Sequence, residues 1–398
     1  MLPVSKTVWR ALPFVGTAAT AGALVFFVFI YHIDLDVYRI GARVLLSGGD
    51  LYGHLPATES GVSLGFTYPP IAAALFVPLA LVPMPVAGLL LTLATFGALA
   101  AVMRITLPAL GIRFDNRLLF LLGPIALLFE PIRGTLGYGQ VNLLLMGLVA
   151  LDCLSPRPKW PRGLLIGIAA AIKLTPAVFV LFFLLRKDYR AAMVSVLSFA
   201  GMSVIGFALS WRDSWHYWSA LIFDPDRVGG VAYAANQSIQ GVLARYGMPH
   251  ATALWLLASV LVLTLAAVGM RRALTSGAPT WALALNAFAG LLVSPISWSH
   301  HWVWIAFAVF TLLVLSNSTV PKVLALTGSL VFALGPHWLV PNGNDQEVAW
   351  SLGQQLPGNA YCLYALLVLV FAAVGGIGLK PRTVPKLPVG LVASGLAD

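Results

Sequence analysis

Charged residues are scarce in this sequence. They make up only 10% of its 398 residues, whereas 59% are hydrophobic and the mean hydropathy is +0.89. That balance excludes an ordinary soluble domain. Apolar runs of roughly 20 residues, each long enough for one spanning helix, recur along the whole length. The sequence therefore predicts an all-α polytopic membrane protein forming a single integral membrane domain over residues 1–398.

Cysteine is almost absent, and the two present, Cys153 and Cys362, lie inside apolar runs where packing is their expected role. Zinc-type spacings such as His-Glu-x-x-His do not occur. The glycines around Gly139 follow no predicted strand, so they do not form a nucleotide-binding loop. We expect neither a metal nor a cofactor.

The basic residues decide the expected topology. The stretch 163–186 is interpreted as two short helices that turn back at Lys173, because this returns the basic cluster 186–190 to the cytoplasm, as the positive-inside rule prefers. Most lysines and arginines and both termini are then cytoplasmic, and the first apolar segment is expected not to be a cleaved signal. The predicted spans are 12–33, 84–103, 117–130, 140–155, 163–172, 176–186, 191–210, 250–270, 278–296, 302–316, 321–338 and 359–379.

The opposite, extracytoplasmic face receives most of the 14 acidic residues and all seven histidines. A non-catalytic scaffold does not need this uneven distribution of titratable residues, so we expect the catalytic site on the extracytoplasmic face. The large outer segments are 34–69 and 211–249, with a further one at 340–358, and 380–398 is expected to be a short cytoplasmic tail. The run 70–82 is interrupted by prolines and is expected to be interfacial, re-entrant or an extension of the second span. The basic residues that give the net charge of +10 are spread over the cytoplasmic segments between spans and do not form a patch. This distribution disfavours nucleic-acid binding.

Asp34 and Asp36 stand where the first apolar run gives way to a polar segment. One interpretation is a water boundary with a helix N-cap. The other is a general base, with the second carboxylate orienting a sugar or binding a cation. If the segment is helical, Asp34 and Tyr38 share one face and Asp36 and Arg39 another, so the carboxylates need not act together.

Several further side chains are costly in a bilayer and have two interpretations each. Lys173 costs about 2.5–3.5 kcal/mol on insertion scales, and either extends to the interface or pairs with a lipid-linked phosphate. Gln140 and Asn142 form helix–helix hydrogen bonds or bind substrate hydroxyls. Tyr68, in the aromatic–proline run 66–70, is an interface anchor or a wall of the active site.

Two outer clusters complete the candidates. The amides Asn236 and Gln237 suit sugar hydroxyls and phosphates, while 211–218 is expected to be an amphipathic interfacial helix. In 294–302, adjacent histidines project to different sides, which makes them poor joint ligands for a metal. Phosphate or sugar contact is therefore favoured for Trp298, His300 and His301.

Taken in order, these segments resemble glycosyltransferase family 87 of the GT-C superfamily, over about residues 30–305. The residues that carry the resemblance are Asp34-Leu35-Asp36-Val37-Tyr38, Gly49-Asp50-Leu51-Tyr52, Thr67-Tyr68-Pro69-Pro70, Gly139-Gln140-Val141-Asn142, Lys173-Leu174-Thr175-Pro176, Asn236-Gln237-Ser238 and the segment 294–302.

The resemblance implies a bundle of about 12 transmembrane helices with an interfacial helix in the first extracytoplasmic loop. It also implies inverting transfer of mannose from polyprenyl-phosphate-mannose to a membrane glycolipid, a phosphatidylinositol mannoside or lipomannan, with an α-1,2 linkage. The site would lie on the extracytoplasmic face of the plasma (inner) membrane. By its position in the motif, Asp34 is the implied catalytic residue. The expected substrate contacts are Asp36, Tyr38, Arg39, Tyr68, Gln140, Asn142, Lys173, Asn236, Gln237, Trp298, His300 and His301.

Two alternatives remain open. Related families use polyprenyl-phospho-arabinose, so the donor type is better defined than its sugar. A lipid-linked-sugar transporter or flippase would show charges along its spans and inverted repeats. Intramembrane charge is nearly confined to Lys173, at the hairpin turn, and Asp152, because the other charged residues of the predicted spans stand at the span ends.

Overall fold

A computed structural model describes residues 6–224, 226–248 and 250–377, and the predicted tail 380–398 lies outside them. The described chain is helical, with one isolated antiparallel bridge between Asn236 and Trp298. Its α-helices are α1 Lys6–Phe29, α2 Ile33–Leu46, α3 Pro70–Ala80, α4 Met84–Ala109, α5 Asn116–Ala126, α6 Glu130–Tyr138, α7 Asn142–Leu154, α8 Leu164–Ile172, α9 Val180–Leu185, α10 Tyr189–Leu209, α11 Trp211–Ser219, α12 Ile239–Arg245, α13 Thr252–Thr275, α14 Pro279–Val293, α15 Trp304–Leu315, α16 Thr319–Leu334, α17 Leu352–Gly358 and α18 Ala360–Val374. Short 3-10 helices cover Thr175–Phe179, Leu221–Phe223, Asp226–Val228, Ser299–His301, Pro336–Trp338 and Gln346–Ala349.

The protein is a multi-pass membrane protein. Four described helical stretches are long and apolar enough to cross a bilayer alone, namely α4, α10, α13 and Thr319–Trp338. Three bent pairs, at 49°, 90° and 72°, would raise the number to seven if each pair formed one span. These pairs are Val15–Phe29 with α2, α5 with α6, and α17 with α18. The predicted count of 12 spans is therefore not reached by length and composition, because several predicted spans are short helices.

The hairpin predicted within 163–186 is confirmed. Arg162 precedes α8 and Arg186 follows α9, yet both donate hydrogen bonds to the carbonyl oxygen of Cys153 at the end of α7, at 3.4 and 3.2 Å. The two ends of the segment therefore meet. The turn lies at Lys173, which is extended (φ −147°, ψ 124°). Pro176 supplies no N–H for the hydrogen bond to Ile172 that a continued α8 would need, and the chain starts a 3-10 helix at Thr175 instead.

Two connecting segments are helical. Residues 131–139, which join the predicted spans 117–130 and 140–155, lie in α6 and its C-terminal cap, and α6 follows α5 after a 90° bend. Pro131 suits the first turn of a helix, and Gly139 ends it in the left-handed conformation (φ 71°). The proline-punctuated run after Pro69 is a separate helix, α3, packed against α2. The segment 211–218 is helical, as predicted, within α11.

The Asp152 carboxylate lies inside the bundle and is stabilised there by hydrogen bonds. It is fully buried in α7, and Oδ1 accepts hydrogen bonds from the Gly163 backbone N–H at 2.9 Å and from Trp160 Nε1 at 3.1 Å. Its Oδ2 accepts from the Ile166 N–H at 3.0 Å. Because the first N–H groups of a helix lack intrahelical partners, this carboxylate caps α8 from a neighbouring helix.

We expect Asp152→Ala to destabilise the protein. The change leaves buried N–H donors of Gly163 and Ile166 without acceptors, which should lower the free energy of unfolding by at least about 2 kcal/mol. Thermal unfolding of the purified protein in detergent measures this effect. Glu59→Ala, at an exposed acidic residue, is the control. Equal midpoints for the two variants would contradict the capping role.

Candidate active site

One cavity of about 680 Å³ brings many of the sequence candidates together. It is lined by the start of α2, the segment before α3, the end of α6, the turn at Lys173, the loop after α11 and the segment 294–301. The sequence candidates among its described lining residues are Asp34, Tyr38, Tyr68, Gln140, Lys173, Trp298, His300 and His301. Segments that are far apart in the sequence therefore share a single site.

Gln140 holds the Asp34 carboxylate. The Nε2 group of Gln140 donates to Asp34 Oδ2 at 2.7 Å, while its Oε1 accepts from the hydroxyl groups of Tyr38 at 2.7 Å and Tyr68 at 3.1 Å. An ionised carboxylate only accepts hydrogen bonds, so Asp34 takes the NH₂ group of the amide and leaves the amide oxygen to accept from the two tyrosine hydroxyls. The NH₂ group is thereby directed at Asp34.

The pKa of the Asp34 carboxyl lies near neutral pH. Asp34 lies in the first turn of α2, beyond the bend that ends the apolar helix α1, and it is partly exposed to the cavity. Burial raises its pKa to about 6, while the hydrogen bond from Gln140 and the positive charge of Lys173 act in the opposite direction. At pH 7 the group is mainly a carboxylate with a pKa close to the working pH, which is what a general base requires.

Lys173 supplies a cation to the same cavity. Its Nζ donates to Asn142 Oδ1 at 3.1 Å, lies 3.0 Å from His301 Nε2 and is 5.4 Å from the centre of the Tyr68 ring. Within the described ranges the one salt bridge joins Arg212 to Asp50, so Lys173 has neutral neighbours at contact distance. A compact ammonium group in such a setting suits a phosphate anion.

The adjacent histidines face different neighbours. Their ring planes lie at 87° with centroids 4.8 Å apart. His301 contacts Lys173, whereas the His300 ring packs edge-on against Tyr138 at 5.1 Å. His300 Nε2 is buried without a hydrogen-bond partner among the described residues. The predicted divergence of the two side chains is confirmed. In the part of the chain that the structure describes, no group of three His, Cys, Asp or Glu residues is placed to hold a metal.

The other face of α2 carries Asp36 and Arg39, as the helical spacing predicts. Asp36 Oδ2 accepts from the Tyr31 hydroxyl at 2.9 Å and from the Glu59 N–H at 2.7 Å, and Arg39 donates to the Leu79 carbonyl at 3.1 Å. Both are almost fully buried and lie outside the cavity lining. Their predicted substrate contacts are therefore revised to anchoring the first loop and α3. The N-cap interpretation is also wrong, since neither carboxylate caps α2.

Three amides predicted to bind substrate instead hold the walls of the cavity. Asn236 Oδ1 accepts from the Ser297 N–H at 2.9 Å, and Gln237 Nε2 donates to the Gly358 carbonyl at 2.7 Å. Both side chains are fully buried. Asn142 Nδ2 donates to the His300 carbonyl at 2.9 Å while its Oδ1 holds Lys173. These contacts indicate a positioning role, although Asn142 also lines a cavity of about 50 Å³ beside Lys173, so its predicted substrate contact stays a prediction.

Several lining residues escaped the sequence analysis. Arg227 donates to the Thr67 carbonyl at 3.0 Å and stacks 5.4 Å from the ring centre of Tyr217, which was predicted only as part of an anchor. Tyr233 and Trp338 also line the cavity. Glu130, just behind the wall, accepts from Ser299 Oγ, Trp338 Nε1 and the Tyr361 hydroxyl at 2.9, 3.1 and 2.9 Å. These residues lie in segments of ordinary interfacial composition, so no local pattern marks them.

The segment Gly61-Val62-Ser63-Leu64-Gly65 fits the hydrolase pattern Gly-x-Ser-x-Gly. That motif works on a sharp turn between a strand and a helix. Here the segment is a loop between α2 and α3, with no strand before it in the described chain. Its geometry does not support hydrolase chemistry.

The fold and the cavity together define an integral membrane protein with a site suited to base-assisted chemistry on an anionic substrate. The sequence model of glycosyltransferase family 87 matches residues 66–295. The chain belongs to this family, which confirms the resemblance drawn from its motifs.

Curated relatives cover most of the chain. A Mycobacterium tuberculosis protein named polyprenol-phosphate-mannose-dependent α-(1-2)-phosphatidylinositol mannoside mannosyltransferase is 40% identical over 376 residues, 89% of this chain and 87% of its own length. A Mycolicibacterium smegmatis protein of the same name is 39% identical over 367 residues, covering 85% and 83%. A second protein of that organism, named for a phosphatidylinositol pentamannoside, is 32% identical over 356 residues, covering 87% and 84%. No solved structure matches the chain.

The pKa of Asp34 generates a prediction for the pH dependence of the reaction. Asp34 works as a base only when deprotonated, and Lys173 binds phosphate as a cation only when protonated. Burial raises the pKa of Asp34 to about 6 and lowers that of Lys173 to about 7, so kcat/KM should peak between about pH 6 and 7 and fall on both sides, by about tenfold for each unit on the acid limb. Gln140→Leu removes a hydrogen bond to the charged form, which raises the pKa of Asp34 and moves this acid limb to higher pH. Gln346→Leu, at an exposed glutamine outside the cavity, should keep the wild-type profile. If the acid limb of Gln140→Leu lies at the same pH as that of the wild type, Asp34 is not the base that titrates.

Proposed function

We propose that this protein is an inverting glycosyltransferase that moves mannose from polyprenyl-phosphate-mannose to a hydroxyl of a phosphatidylinositol mannoside or lipomannan, forming an α-1,2 linkage. The named activity of relatives at 40% and 39% identity supports the substrates. The observation that carries the chemistry is the placement of Asp34 and Lys173 in one cavity. A base and a phosphate-binding cation are the two groups that such a transfer needs.

The reaction divides between these two groups. Asp34 takes the proton of the acceptor hydroxyl as its oxygen attacks the anomeric carbon from the face opposite the phosphate, so the configuration inverts in one step. The bond between the anomeric carbon and the phosphate oxygen breaks, and its electron pair leaves with the lipid phosphate. Lys173, with His301 beside it, stabilises the charge that develops there. General-base assistance contributes typically about 10²–10⁴-fold. A polyprenyl phosphate is a good leaving group, so the proposed mechanism uses no metal.

Apolar space beyond Lys173 suits the lipid of the donor. A cavity of about 50 Å³ shares Lys173 and His301 with the main cavity and extends to Met146 and Val303. A third, apolar cavity of about 180 Å³ starts at those two residues and continues among side chains such as Phe307. The three cavities run from polar to apolar, which is also the order of the phosphate and the polyprenyl chain in the donor.

We place the site on the extracytoplasmic face of the plasma membrane, with α2 and α11 at the interface and residues 1–398 forming one domain. The hairpin supports this orientation. Lys173 lies at its turn beside the cavity, whereas Arg162 and Arg186 meet at its other end. If the basic end faces the cytoplasm, the cavity faces the opposite side.

Asp34→Asn should abolish transfer while the protein still folds and inserts, because asparagine preserves the shape of the side chain but cannot accept the proton. Transfer of radiolabelled mannose from polyprenyl-phosphate-mannose to glycolipid acceptor in membranes measures the effect. Asp36→Asn makes the same change on the opposite face of α2 and should reduce activity much less. Full transfer by Asp34→Asn would refute the assignment of the base.

Cysteine labelling tests the orientation. Cys153 and Cys362 are buried, so their background reaction should be low. Glu59→Cys should react with a membrane-impermeant maleimide on intact cells, whereas Arg190→Cys should react only after permeabilisation. Both positions are exposed on the protein. The reverse pattern would place the cavity on the cytoplasmic face.

A further inference from the structure

Three aromatic side chains form a wall of the main cavity that the mechanism has not used. Tyr233 lies edge-on to both Trp298 and Trp338, with ring centroids 6.1 Å apart in each case and ring planes at 67° and 66°. All three line the cavity and stay partly exposed to it. They come from three separate segments, so their meeting is a property of the fold. We refer to them as the aromatic wall.

The aromatic wall is held by buried polar groups. Arg245 is almost fully buried and donates to the backbone carbonyls of Ala232 and Tyr233 at 3.2 and 3.1 Å. The bridge between Asn236 and Trp298 joins the first segment to the second. A wall fixed in this way needs little reorganisation to bind a ligand, which favours affinity.

The segment 299–301 connects the aromatic wall to the phosphate side of the cavity. Ser299 shares Glu130 Oε1 with Trp338. His301, two residues later, contacts Lys173 at 3.0 Å. His300 lies between them with its Nε2 buried in the cavity lining and without a hydrogen-bond partner among the described residues. This nitrogen has almost no surface open to the cavity, so a ligand reaches it only if the His300 ring turns, and the cost of an unpaired buried nitrogen favours such a turn.

We propose that the aromatic wall and His300 form the acceptor subsite, which binds a mannopyranose ring of the glycolipid, while His301 and Lys173 serve the donor phosphate. This assignment rests on the proposed function. A pyranose ring has an apolar face of C–H groups that packs on an aromatic ring, and hydroxyl groups at its edge that need hydrogen-bond partners. The aromatic wall supplies the first and His300 supplies the second. The two adjacent histidines thus serve different substrates.

The subsite also fits the position of the base. His300 packs against Tyr138, and Tyr138 precedes the segment Gly139-Gln140 that carries the partner of Asp34. A sugar bound between the aromatic wall and His300 therefore borders the part of the cavity where Asp34 accepts its proton. The donor phosphate approaches from the Lys173 side. The acceptor and the donor enter the reaction from two sides of the segment 299–301.

Steady-state kinetics with the full-length protein in lipid nanodiscs test the subsite. Tyr233→Leu should raise the acceptor KM about tenfold, the equivalent of one lost ring contact, and leave the donor KM unchanged. His301→Gln should do the opposite and raise the donor KM. Tyr233→Phe keeps the ring and should restore most of the acceptor affinity. Tyr246→Leu, at an exposed tyrosine outside the cavity, is the matched control.

Equilibrium binding gives a readout that does not depend on transfer. Radiolabelled octyl α-D-mannopyranoside is the probe, and 1-octanol as competitor removes the part of its binding that the alkyl tail causes. Its Kd should rise about tenfold in Tyr233→Leu and in Trp298→Leu, a second variant in case the first does not fold.

The outcomes separate the two proposals. Transfer with an unchanged acceptor KM and Kd in Tyr233→Leu and Trp298→Leu overturns the subsite and leaves the proposed function intact. A rise in the donor KM equal to that in the acceptor KM also overturns it. Mannoside binding that depends on the aromatic wall, without any transfer by the wild-type protein, refutes the proposed function and the acceptor role, and leaves the aromatic wall as a mannose-binding site.

Discussion

The hydrogen bond from Gln140 to Asp34 is the interaction on which the site depends. It joins the first turn of α2 to the segment after α6, two elements about a hundred residues apart in sequence. The hydroxyl groups of Tyr38 and Tyr68 fix the amide that donates it. The carboxylate is thereby held in place and kept ionised in a partly buried position where burial alone would favour the neutral form.

The same constraint explains the surroundings of the cavity. A polar atom buried away from water is costly unless it has a partner within the protein. Asn142, Asn236, Gln237 and Arg245 use their polar atoms on backbone carbonyls and neighbouring side chains. They look like binding groups in the sequence because polar side chains in apolar segments are rare. In the structure they fix the loops that carry the groups facing the cavity.

The sequence therefore predicts the membrane class, the hairpin at Lys173 and the two faces of α2, because composition, charge asymmetry and helical spacing are local properties. It also places Asp34, Lys173 and the histidine segment among the candidates. It misses Tyr233 and Trp338, whose meeting is set only by tertiary packing. It assigns substrate contacts to Asp36 and Asn236, because nothing in a sequence tells whether a polar side chain faces a cavity or a backbone carbonyl.

The adjacent histidines show how one short segment can serve two substrates. Neighbouring side chains on a 3-10 turn diverge, so His300 and His301 face different parts of the cavity. Lys173 occupies one nitrogen of His301 and leaves His300 free for a ligand on the other side. A lipid phosphate and a sugar then approach Asp34 without competing for the same groups. Separate binding on two sides of the reacting carbon is what a single-displacement transfer with inversion requires, since the nucleophile and the leaving group must lie on opposite faces.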